Sequence, residues 1–492
     1  MRYLALCTDY DGTLATDGRV LPETESALER LLASGRRLVL VTGRELDDLQ
    51  KVCPRLDLFE YVVAENGALL YQPSTDEETP LAPPPPEAFV TLLRQRGVGP
   101  ISVGRVIVAT WEPHESTVLA AIRDLGLELQ VIFNKGAVMI LPAGVNKATG
   151  LASALEKMEL SPHNAVGIGD AENDHALLAL CECSAAVANA LPTLKGAADL
   201  VTAGDHGAGV VELIEELLRD DLASLEPRLE RHNVLLGTDD QGNEIHIRPH
   251  GETLLVVGAD GAGKSELATG LMEKLAAASY SFCVIDVEGD YGTVAKAVSL
   301  GSPSRPPTAN EILKLLRGAG QSAVVNLSGL PASDRRPFLM DLTPKLAELR
   351  ARSGRPHWVV VDETHDLLPA NEASGELLPL GDGESVLHIT ERPNLVTREV
   401  LRATSLFIAL GASAQTLLDE FCQVSGLERP VTRFAPPKKG EALAWRPASP
   451  NARPVRLNIA APQHGRAAAG AASGVGKTGI ERPARARTGP LH

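Results

Sequence analysis

Two carboxylates stand one residue apart near the start of the chain, in the sequence DYDGT at residues 9–13. They follow a short apolar run that is typical of a β-strand, and α/β proteins place their chemistry at the carboxyl ends of parallel strands. Asp9 and Asp11 could converge on one Mg²⁺, and one could attack phosphorus while the other transfers protons. The same sequence also makes a good Asx turn, so other residues must decide between the two interpretations.

Three further motifs supply the other groups that phosphoryl chemistry needs. VTGR at residues 41–44 ends the next strand with Thr42, whose hydroxyl could hold a phosphate oxygen. Lys147 begins a helical stretch and offers a point charge for phosphate. GDAEND at residues 169–174 follows another apolar strand and brings Asp170, a carboxylate for a metal. Each motif alone could be a strand-end turn, but the four together predict a phosphate and Mg²⁺ site.

In order and content, these motifs resemble those of the haloacid dehalogenase-like (HAD) phosphohydrolases, over about residues 1–220. AENGA at residues 64–68 and an insert at residues 69–141 are similar to the type IIB, Cof-like subgroup. The resemblance implies a Rossmann-like α/β core. It also implies that the insert is a small α/β cap, which covers the site and selects the leaving group.

The resemblance further implies a role for each motif residue. Asp9 would be the nucleophile that forms an aspartyl-phosphate, and Asp11 would be the general acid and base. Thr42 and Lys147 would hold the phosphoryl group. The Mg²⁺ site would consist of residues that bind the ion or support its ligands: Asp9, the carbonyl of Asp11, Asp170, and in support Asn173 and Asp174.

The insert offers few candidates for substrate contacts. Arg105, Glu112 and His114 carry suitable polar groups, and exposed surface charge is the alternative interpretation of all three. Because nothing in residues 69–141 indicates a sugar, a nucleotide or an acid, the sequence predicts only a small phosphorylated substrate.

A phosphate-binding loop is predicted at residues 258–265, where GADGAGKS fits the pattern GxxxxGK[ST]. It follows an apolar strand and precedes a helical stretch, which is the context that this motif needs. Backbone N–H groups would wrap the phosphates of ATP, the lysine would reach the β- and γ-phosphates, and the serine hydroxyl would bind Mg²⁺. The predicted nucleotide-binding residues are Gly258, Gly261, Gly263, Lys264 and Ser265.

A second pair of carboxylates ends the apolar run WVVVDE at residues 358–363. Asp362 would organise Mg²⁺ through water, and Glu363 would polarise the attacking water. A glutamate at this position favours hydrolysis over nucleotide binding alone, while a capped strand end is the structural alternative.

Several of these runs resemble the HerA/FtsK-type ATPases, over about residues 235–458. They are IDVEGDY at 285–291, DETHDLLP at 362–369 and TERP at 390–393. The resemblance implies a hexameric ring that translocates DNA, with two departures. Glu391 stands where the family usually has glutamine, and the N-terminal barrel typical of HerA is replaced by the phosphatase-like half. Candidate arginine fingers, with surface charge as the alternative, are Arg392, Arg398 and Arg402.

Composition limits the class of protein. The chain has 492 residues, 44% hydrophobic and 22% charged, and a net charge of −16, which indicates two to four folded domains. Six cysteines without a CxxC pair indicate a reducing compartment, and no apolar run reaches the length of a membrane span. We therefore predict a cytoplasmic protein without a membrane partner. The acidic balance does not favour non-specific DNA binding.

Strand-like and helical runs alternate through both parts of the chain, which predicts a parallel sheet in each. A Pro- and acid-rich break is expected at residues 72–87. The expected domains are a HAD-like domain at 1–222, a linker at 223–234, a second α/β P-loop NTPase domain at 235–459, and a disordered basic tail at 460–492. The tail is Ala/Gly/Arg-rich, and it is either a natural basic arm or the product of truncation or a frame change.

The sequence therefore predicts a Mg²⁺-dependent phosphatase for a small metabolite, fused to a domain that binds and hydrolyses ATP. The alternative is a DNA-associated ATPase that forms a homo-oligomeric ring and carries an accessory phosphatase or ligand-sensing domain. A third hypothesis makes the P-loop half a nucleotide-binding scaffold.

Overall fold

The computed structural model describes residues 1–225, 229–318, 320–370, 385–448 and 453–460. Two large sheets and one small antiparallel sheet lie within these ranges. Among the helices that they contain, none is long and apolar enough to cross a membrane. Apart from residue 460, the tail predicted to be disordered lies outside the described residues.

The first half of the chain contains strands β1–β12 and helices α1–α8. The strands are β1 (Ala5–Thr8), β2 (Arg37–Val41), β3 (Tyr61–Ala64), β4 (Leu69–Gln72), β5 (Glu77–Pro80), β6 (Ser102–Val103), β7 (Val108–Trp111), β8 (Leu129–Asn134), β9 (Ala137–Pro142), β10 (Ala165–Gly169), β11 (Cys183–Ala186) and β12 (Leu200–Val201). The helices are α1 (Pro22–Ala33), α2 (Leu46–Val52), α3 (Glu87–Gln95), α4 (Glu115–Asp124), α5 (Lys147–Lys157), α6 (His175–Leu180), α7 (Pro192–Ala197) and α8 (His206–Asp220).

The first large sheet has the order β12-β11-β10-β1-β2-β3-β4-β5. Its strands from β12 to β3 are parallel, as the alternating pattern predicts, and together with the flanking helices they form a Rossmann-like α/β core. Thr8, the last residue of β1, pairs with Ile168 of β10 and Leu40 of β2. The loops that follow these three strands therefore leave the sheet at one edge, where the predicted phosphate motifs lie.

The expected break at residues 72–87 contains an additional strand. β5 pairs antiparallel with β4 and extends the large sheet, so residues 69–80 belong to the core sheet. The sequence pattern does not predict this strand, because its residues are polar and its last residue is proline. Sheets tolerate proline at an edge strand. A separate four-stranded sheet, in the order β6-β7-β9-β8, packs with α3 and α4 around Phe89, Val118 and Ile140. This smaller body is the α/β insert, which therefore begins after residue 80 and not at residue 69 as predicted.

The second half contains strands β13–β23 and helices α9–α14. The strands are β13 (Val234–Thr238), β14 (Glu244–Ile247), β15 (Thr253–Val257), β16 (Phe282–Asp286), β17 (Ala297–Leu300), β18 (Ser322–Asn326), β19 (Trp358–Val361), β20 (Ser385–Thr390), β21 (Leu406–Leu410), β22 (Glu441–Trp445) and β23 (Val455–Ile459). The helices are α9 (Lys264–Ala277), α10 (Ala309–Arg317), α11 (Ala332–Ser353), α12 (Thr364–Leu367), α13 (Arg398–Ala403) and α14 (Ala414–Ser425).

The second large sheet has the order β14-β13-β23-β22-β21-β15-β20-β19-β16-β18-β17. Its strands from β21 to β17 are parallel, and the other four extend it antiparallel. β20 lies between β15 and β19, so the loop after β15 and the carboxylates after β19 meet at one sheet edge with a single strand between them. One hydrophobic core covers each face of this sheet.

Candidate active site

The ammonium group of Lys147 lies between two buried carboxylates. Its Nζ is 2.5 Å from Asp9 Oδ1 and 2.6 Å from Asp174 Oδ1, and the three side chains are at most 6% exposed. Lys147 is the first residue of α5, whose N-cap Asn146 accepts hydrogen bonds from two backbone N–H groups of the first turn. A capping box therefore fixes the helix end that presents the lysine.

The turn after β3 sets the position of this helix end. Gly67 has a φ of 104°, and a Cβ there would lie 1.9 Å from the carbonyl oxygen of Asn146, so only glycine permits the close approach. Beside it, Asn66 Oδ1 accepts a hydrogen bond of 2.9 Å from Asn173 Nδ2. The AENGA motif thus joins the turn after β3 to α5 and to the loop after β10.

Three carboxylates from two loops share the space beside Lys147. The ligand atoms of Asp9, Asp170 and Asp174 all lie within 4.8 Å of one another. Asp174 Oδ2 also accepts from the backbone N–H groups of Asp170 and Ala171, at 3.0 and 2.9 Å. Since both oxygens of Asp174 are engaged, this residue orders the loop that carries Asp170.

The electrostatics of the cluster fit a divalent cation. Burial raises the pKa of Asp9 to about 7, the charges of Asp174 and Asp170 add to the increase, and Lys147 opposes it. Burial also raises the pKa of Asp170. Burial alone would lower the pKa of Lys147, but the facing carboxylates of Asp174 and Asp9 raise it. Clustered carboxylate oxygens that repel one another in this way are suitable ligands for Mg²⁺.

A lysine of the insert, which the sequence analysis missed, reaches into this cluster. Lys135 Nζ donates to Asp170 Oδ2 at 2.6 Å and to the Asp11 carbonyl oxygen at 3.3 Å. These are two of the groups that the HAD resemblance assigns to Mg²⁺, so a cation already stands at that position. Lys135 and Gly136 form a two-residue hairpin turn with positive φ between β8 and β9. The sequence signals such a hairpin, but not where its tip docks.

Arg44 and Thr42 form the second side of the site. Arg44 holds both carboxylate oxygens of Asp11, with Nε 2.6 Å from Oδ2 and Nη2 2.8 Å from Oδ1. The hydroxyl of Thr42 accepts a hydrogen bond of 3.1 Å from the backbone N–H of Arg44, and Thr42 is buried. The motif VTGR predicts a role for its threonine alone, because the contact of Arg44 with Asp11 forms only when the loops after β1 and β2 lie side by side.

A cavity of about 800 Å³ opens between the core and the insert. Asp9, Asp11, Arg44, Lys135 and Trp111 are among the residues that line it. None of the three candidate substrate contacts lines this cavity in the described part of the chain; they are Arg105, Glu112 and His114.

Arg105 instead forms ion pairs with Asp47 and Glu78 of the core, 2.8 and 3.0 Å away. Buried Glu65 of the AENGA motif accepts from the backbone N–H groups of Arg105, Val106 and Ile107, at 2.7 to 2.9 Å. This segment therefore anchors the insert to the core.

The predicted phosphate-binding loop runs from β15 to α9. Gly263, the N-cap of α9, has a φ of 102°, which favours glycine. Lys264 is 7% exposed, and its Nζ donates to the carbonyl oxygens of Gly258 at 3.0 Å and Ala259 at 3.3 Å. The lysine therefore folds back over the loop, and Ser265 follows it in the first turn of α9. The five predicted nucleotide-binding residues lie within this one strand–loop–helix unit.

Two carboxylates follow β19 at the same sheet edge. Burial raises the pKa of Asp362 to about 8, and the neighbouring Glu363 and Asp286 add to the increase. Burial also raises the pKa of Glu363 to about 7, against the opposing charge of Lys264. Their crowding fits a site for Mg²⁺ beside the loop. His365, which the sequence analysis did not single out, contacts Glu363 Oε2 at 3.2 Å and Thr390 Oγ1 at 3.0 Å.

The expected arginine fingers lie on the surface of this half. Arg392 is 60% exposed and pairs with the unusual Glu391 at 3.0 Å. Arg398 and Arg402 are exposed on α13. Within this single chain, the three arginines therefore lie on the outside of the domain.

The raised pKa of Asp362 predicts that the stability of the second half depends on pH. An aspartate pKa that is higher in the folded state than in the unfolded chain costs stability progressively as the pH rises from about 4 to about 8. We therefore expect Asp362→Asn to melt a few degrees above the wild type at pH 8, with the difference shrinking towards pH 5. Differential scanning calorimetry in EDTA measures both. The matched control is Asp341→Asn, at an exposed carboxylate of α11. A constant difference in Tm across this pH range would contradict a raised pKa for Asp362.

Comparison with known proteins shows the family to which the first half of the chain belongs. A family model described as haloacid dehalogenase-like hydrolase matches residues 6–99 and 106–214. Phosphoglycolate phosphatase 2 of Saccharolobus solfataricus is 30% identical over 225 residues, which are 44% of this chain and 92% of the relative. A phosphoglycolate phosphatase of Haloarcula marismortui is 32% identical over 225 residues, which are 42% of this chain and 95% of that relative.

A solved haloacid dehalogenase-like hydrolase from Bacteroides thetaiotaomicron is 18% identical, with a TM-score of 0.39, and covers 44% of this chain and 99% of its own. The family model ends at residue 214, before the phosphate-binding loop begins. The sequence relatives match over nearly their whole length. Through this half, the chain belongs to the haloacid dehalogenase-like hydrolases.

Proposed function

We propose that the first half is a Mg²⁺-dependent phosphatase that acts on a small phosphorylated metabolite. The observation that carries this proposal is Lys147, held between Asp174 and Asp9, because Asp9 lines the cavity under the insert. A buried ammonium beside a carboxylate nucleophile can hold the phosphoryl oxygens while the nucleophile attacks. The domain would comprise residues 1–222.

In the proposed reaction, Asp9 attacks the phosphorus, and the P–O bond to the alcohol breaks as the aspartyl-phosphate forms. Asp11 donates a proton to the leaving oxygen and then accepts one from the water that hydrolyses the intermediate. Arg44 orients Asp11 for both transfers. Thr42 and Lys147 hold the phosphoryl oxygens. Mg²⁺ would be held by Asp9, the Asp11 carbonyl and Asp170, supported by Asn173 and Asp174, and would offset phosphoryl charge.

We propose further that the substrate carries a carboxylate near its phosphate, as phosphoglycolate does. The relatives named above are phosphoglycolate phosphatases. Lys135 of the insert and Arg44 of the core offer cations that line the cavity. With Mg²⁺ bound at Asp170, Lys135 would move from that carboxylate to the neighbouring one of the substrate.

Phosphate release from a panel of phosphoesters tests the proposal. We expect turnover of phosphoglycolate with Mg²⁺ and a much lower kcat/KM for sugar phosphates of similar size. Faster hydrolysis of the sugar phosphates would contradict the proposal that the substrate carries a carboxylate. No turnover of any phosphoester would contradict the proposal that the first half is a phosphatase.

Removing Lys135 should affect carboxylate-bearing substrates selectively. A charge-assisted hydrogen bond contributes about 1.5–3 kcal/mol, so we expect Lys135→Ala to raise the KM for phosphoglycolate at least about tenfold. The KM for an ester of a neutral alcohol should change little. Arg123→Ala, at an 80% exposed cation of the insert, is the matched control. An equal increase in KM for both esters would indicate a general loss of insert docking instead.

We also propose that the second half, residues 235–459, binds and hydrolyses ATP. The observation in support is the placement of Lys264 one strand away from Asp362 and Glu363, at one edge of a parallel sheet. Lys264 would exchange its loop carbonyls for the β- and γ-phosphates. Ser265 and Asp362 would hold Mg²⁺, and Glu363 would polarise the attacking water.

A cavity beside the loop has the size and chemistry for the base of the nucleotide. It measures about 450 Å³, and the residues that line it include Gly261, Leu267, Leu410, Ile459 and Lys438. Apolar walls next to a phosphate-binding loop are suitable for stacking a purine. ATP turnover by the full chain in an Asp9→Asn background tests this second function. Stimulation by added DNA, together with ring formation, would favour a translocase.

A further inference from the structure

Four histidines surround a buried carboxylate where the two halves of the chain meet. His163 and Glu182 belong to the first half, His232 to the segment between the halves, and His250 and His357 to the second half. The Glu182 side chain is 2% exposed, although no phosphate motif is near it in sequence. Neither proposed activity uses these residues.

His163 lies between two hydrogen-bond acceptors. Its Nδ1 is 2.7 Å from Glu182 Oε2, and its Nε2 is 2.8 Å from the backbone carbonyl oxygen of Ala278 in the second half. A neutral imidazole has only one N–H group and cannot donate to both. If Nε2–H donates to Ala278, a proton must also lie between Nδ1 and Glu182, and a metal ion could replace that proton once the two atoms move apart.

Two neighbouring imidazoles point nitrogen atoms at the same carboxylate without forming hydrogen bonds. His232 Nε2 is 3.8 Å from Glu182 Oε2, and His250 Nε2 is 3.5 Å from Oε1. Both nitrogens are buried and lack a hydrogen-bond partner in the described structure. Burial lowers the pKa of His232 and of His250. The neutral imidazole is the form of histidine that binds metal ions.

The spacing of three donor atoms suits a tetrahedral metal ion. The ligand atoms of His163, Glu182 and His232 all lie within 4.8 Å of one another. Donor atoms bound to Zn²⁺ at about 2.0–2.1 Å in tetrahedral geometry are about 3.3 Å apart. The His163–Glu182 distance would open, and the His232–Glu182 distance would contract, by about half an ångström each.

The surroundings of the ligands are those of a metal site. The His163 Nε2–H bond to Ala278 would fix the tautomer that leaves Nδ1 free for a metal. Tyr280 of the second half donates to Glu182 Oε2 at 2.8 Å and stacks on His163 with ring centroids 3.7 Å apart. Arg2 donates to the other oxygen, Oε1, at 2.7 Å. Its charge opposes a cation, but it leaves Oε2 available.

We propose a binding site for a divalent first-row transition metal ion, with Zn²⁺ as the expected ion, formed by His163, Glu182 and His232. Imidazole and carboxylate donors are the set that such ions prefer. The metal would fasten the connecting segment to the first half, beside Ala278 and Tyr280 of the second. It would thereby hold the two halves in one docked arrangement, with His250 as the nearest further imidazole.

Zinc binding by the full chain tests the site. The chain is stripped with a chelator and then dialysed against Zn²⁺ in excess Mg²⁺, and bound zinc is measured by elemental analysis. We expect wild type and His246→Gln to bind the same number of zinc ions, and His232→Gln to bind one fewer. The loss in affinity at the missing site should be at least about tenfold. His246 is a suitable control because it is a partly exposed imidazole beside Glu244.

Thermal unfolding provides a second measurement. Zinc at about 100 times its Kd should raise the Tm of wild type and His246→Gln by about 5 °C or more, and that of His232→Gln by clearly less. The His232 side chain is 21% exposed, so its replacement by glutamine should leave the fold intact. No zinc bound by wild type, or equal zinc bound by His232→Gln, would overturn the proposal.

Discussion

The variant Asp9→Asn is expected to lose phosphatase activity by at least about 10⁴-fold in kcat, because removing a nucleophile eliminates the covalent step itself. Asparagine has the shape of aspartate and can still accept a hydrogen bond from Lys147. Asp174 keeps its own bond to the same ammonium. The variant also removes a buried carboxylate whose pKa burial raises to about 7, so its Tm should not fall. Phosphate release from phosphoglycolate and calorimetry measure the two effects.

The control for this experiment makes the same change at a different place. Asp57→Asn replaces a carboxylate that is 64% exposed and pairs only with nearby Arg55 in the described contacts. We expect it to retain full activity. Residual activity of Asp9→Asn above about one hundredth of wild type would exclude Asp9 as the nucleophile. A large fall in Tm would mean that Asp9 is needed for folding.

The second large effect is expected at the phosphate-binding loop. Lys264→Ala removes the cation that would hold the β- and γ-phosphates, so ATP turnover should fall at least about 10³-fold, and ATP binding should weaken. Glu363→Gln should reduce turnover by a comparable factor while ATP still binds, because the amide cannot polarise water but keeps the shape of the site. Turnover is measured as ADP formation, and binding by calorimetry.

Lys345→Ala is the matched control for the loop lysine, since the Lys345 side chain is exposed on α11 in an ion pair with Asp341. ATP turnover that survives Lys264→Ala would reject the proposed nucleotide site. Unchanged turnover in Glu363→Gln would instead favour a nucleotide-binding scaffold. Because Asp9 and Lys264 lie beside two different sheets, each substitution should leave the activity of the other half intact if the two sites act independently.

Much of the secondary structure can be predicted from local patterns. The strands β2, β3, β10, β15 and β19 begin and end where the apolar runs predict. Apolar runs bounded by turn residues are short-range signals, and parallel packing against helices on both faces makes them strong. The edge strands were harder to predict: β5 is polar and exposed because only one of its sides pairs, so its sequence lacks that signal.

Local motifs reveal which residues are available for chemistry, because Asp9, Lys147 and Lys264 stand in short motifs tied to strand and helix ends. The groups that face these residues follow from the tertiary fold. Lys135 reaches Asp170 from a hairpin 35 residues away, and Glu182 meets Ala278 and Tyr280 across the junction between the halves. These contacts depend on how the insert and the two sheets dock. Docking is decided by long-range packing of surfaces, which leaves no periodic signal in the chain.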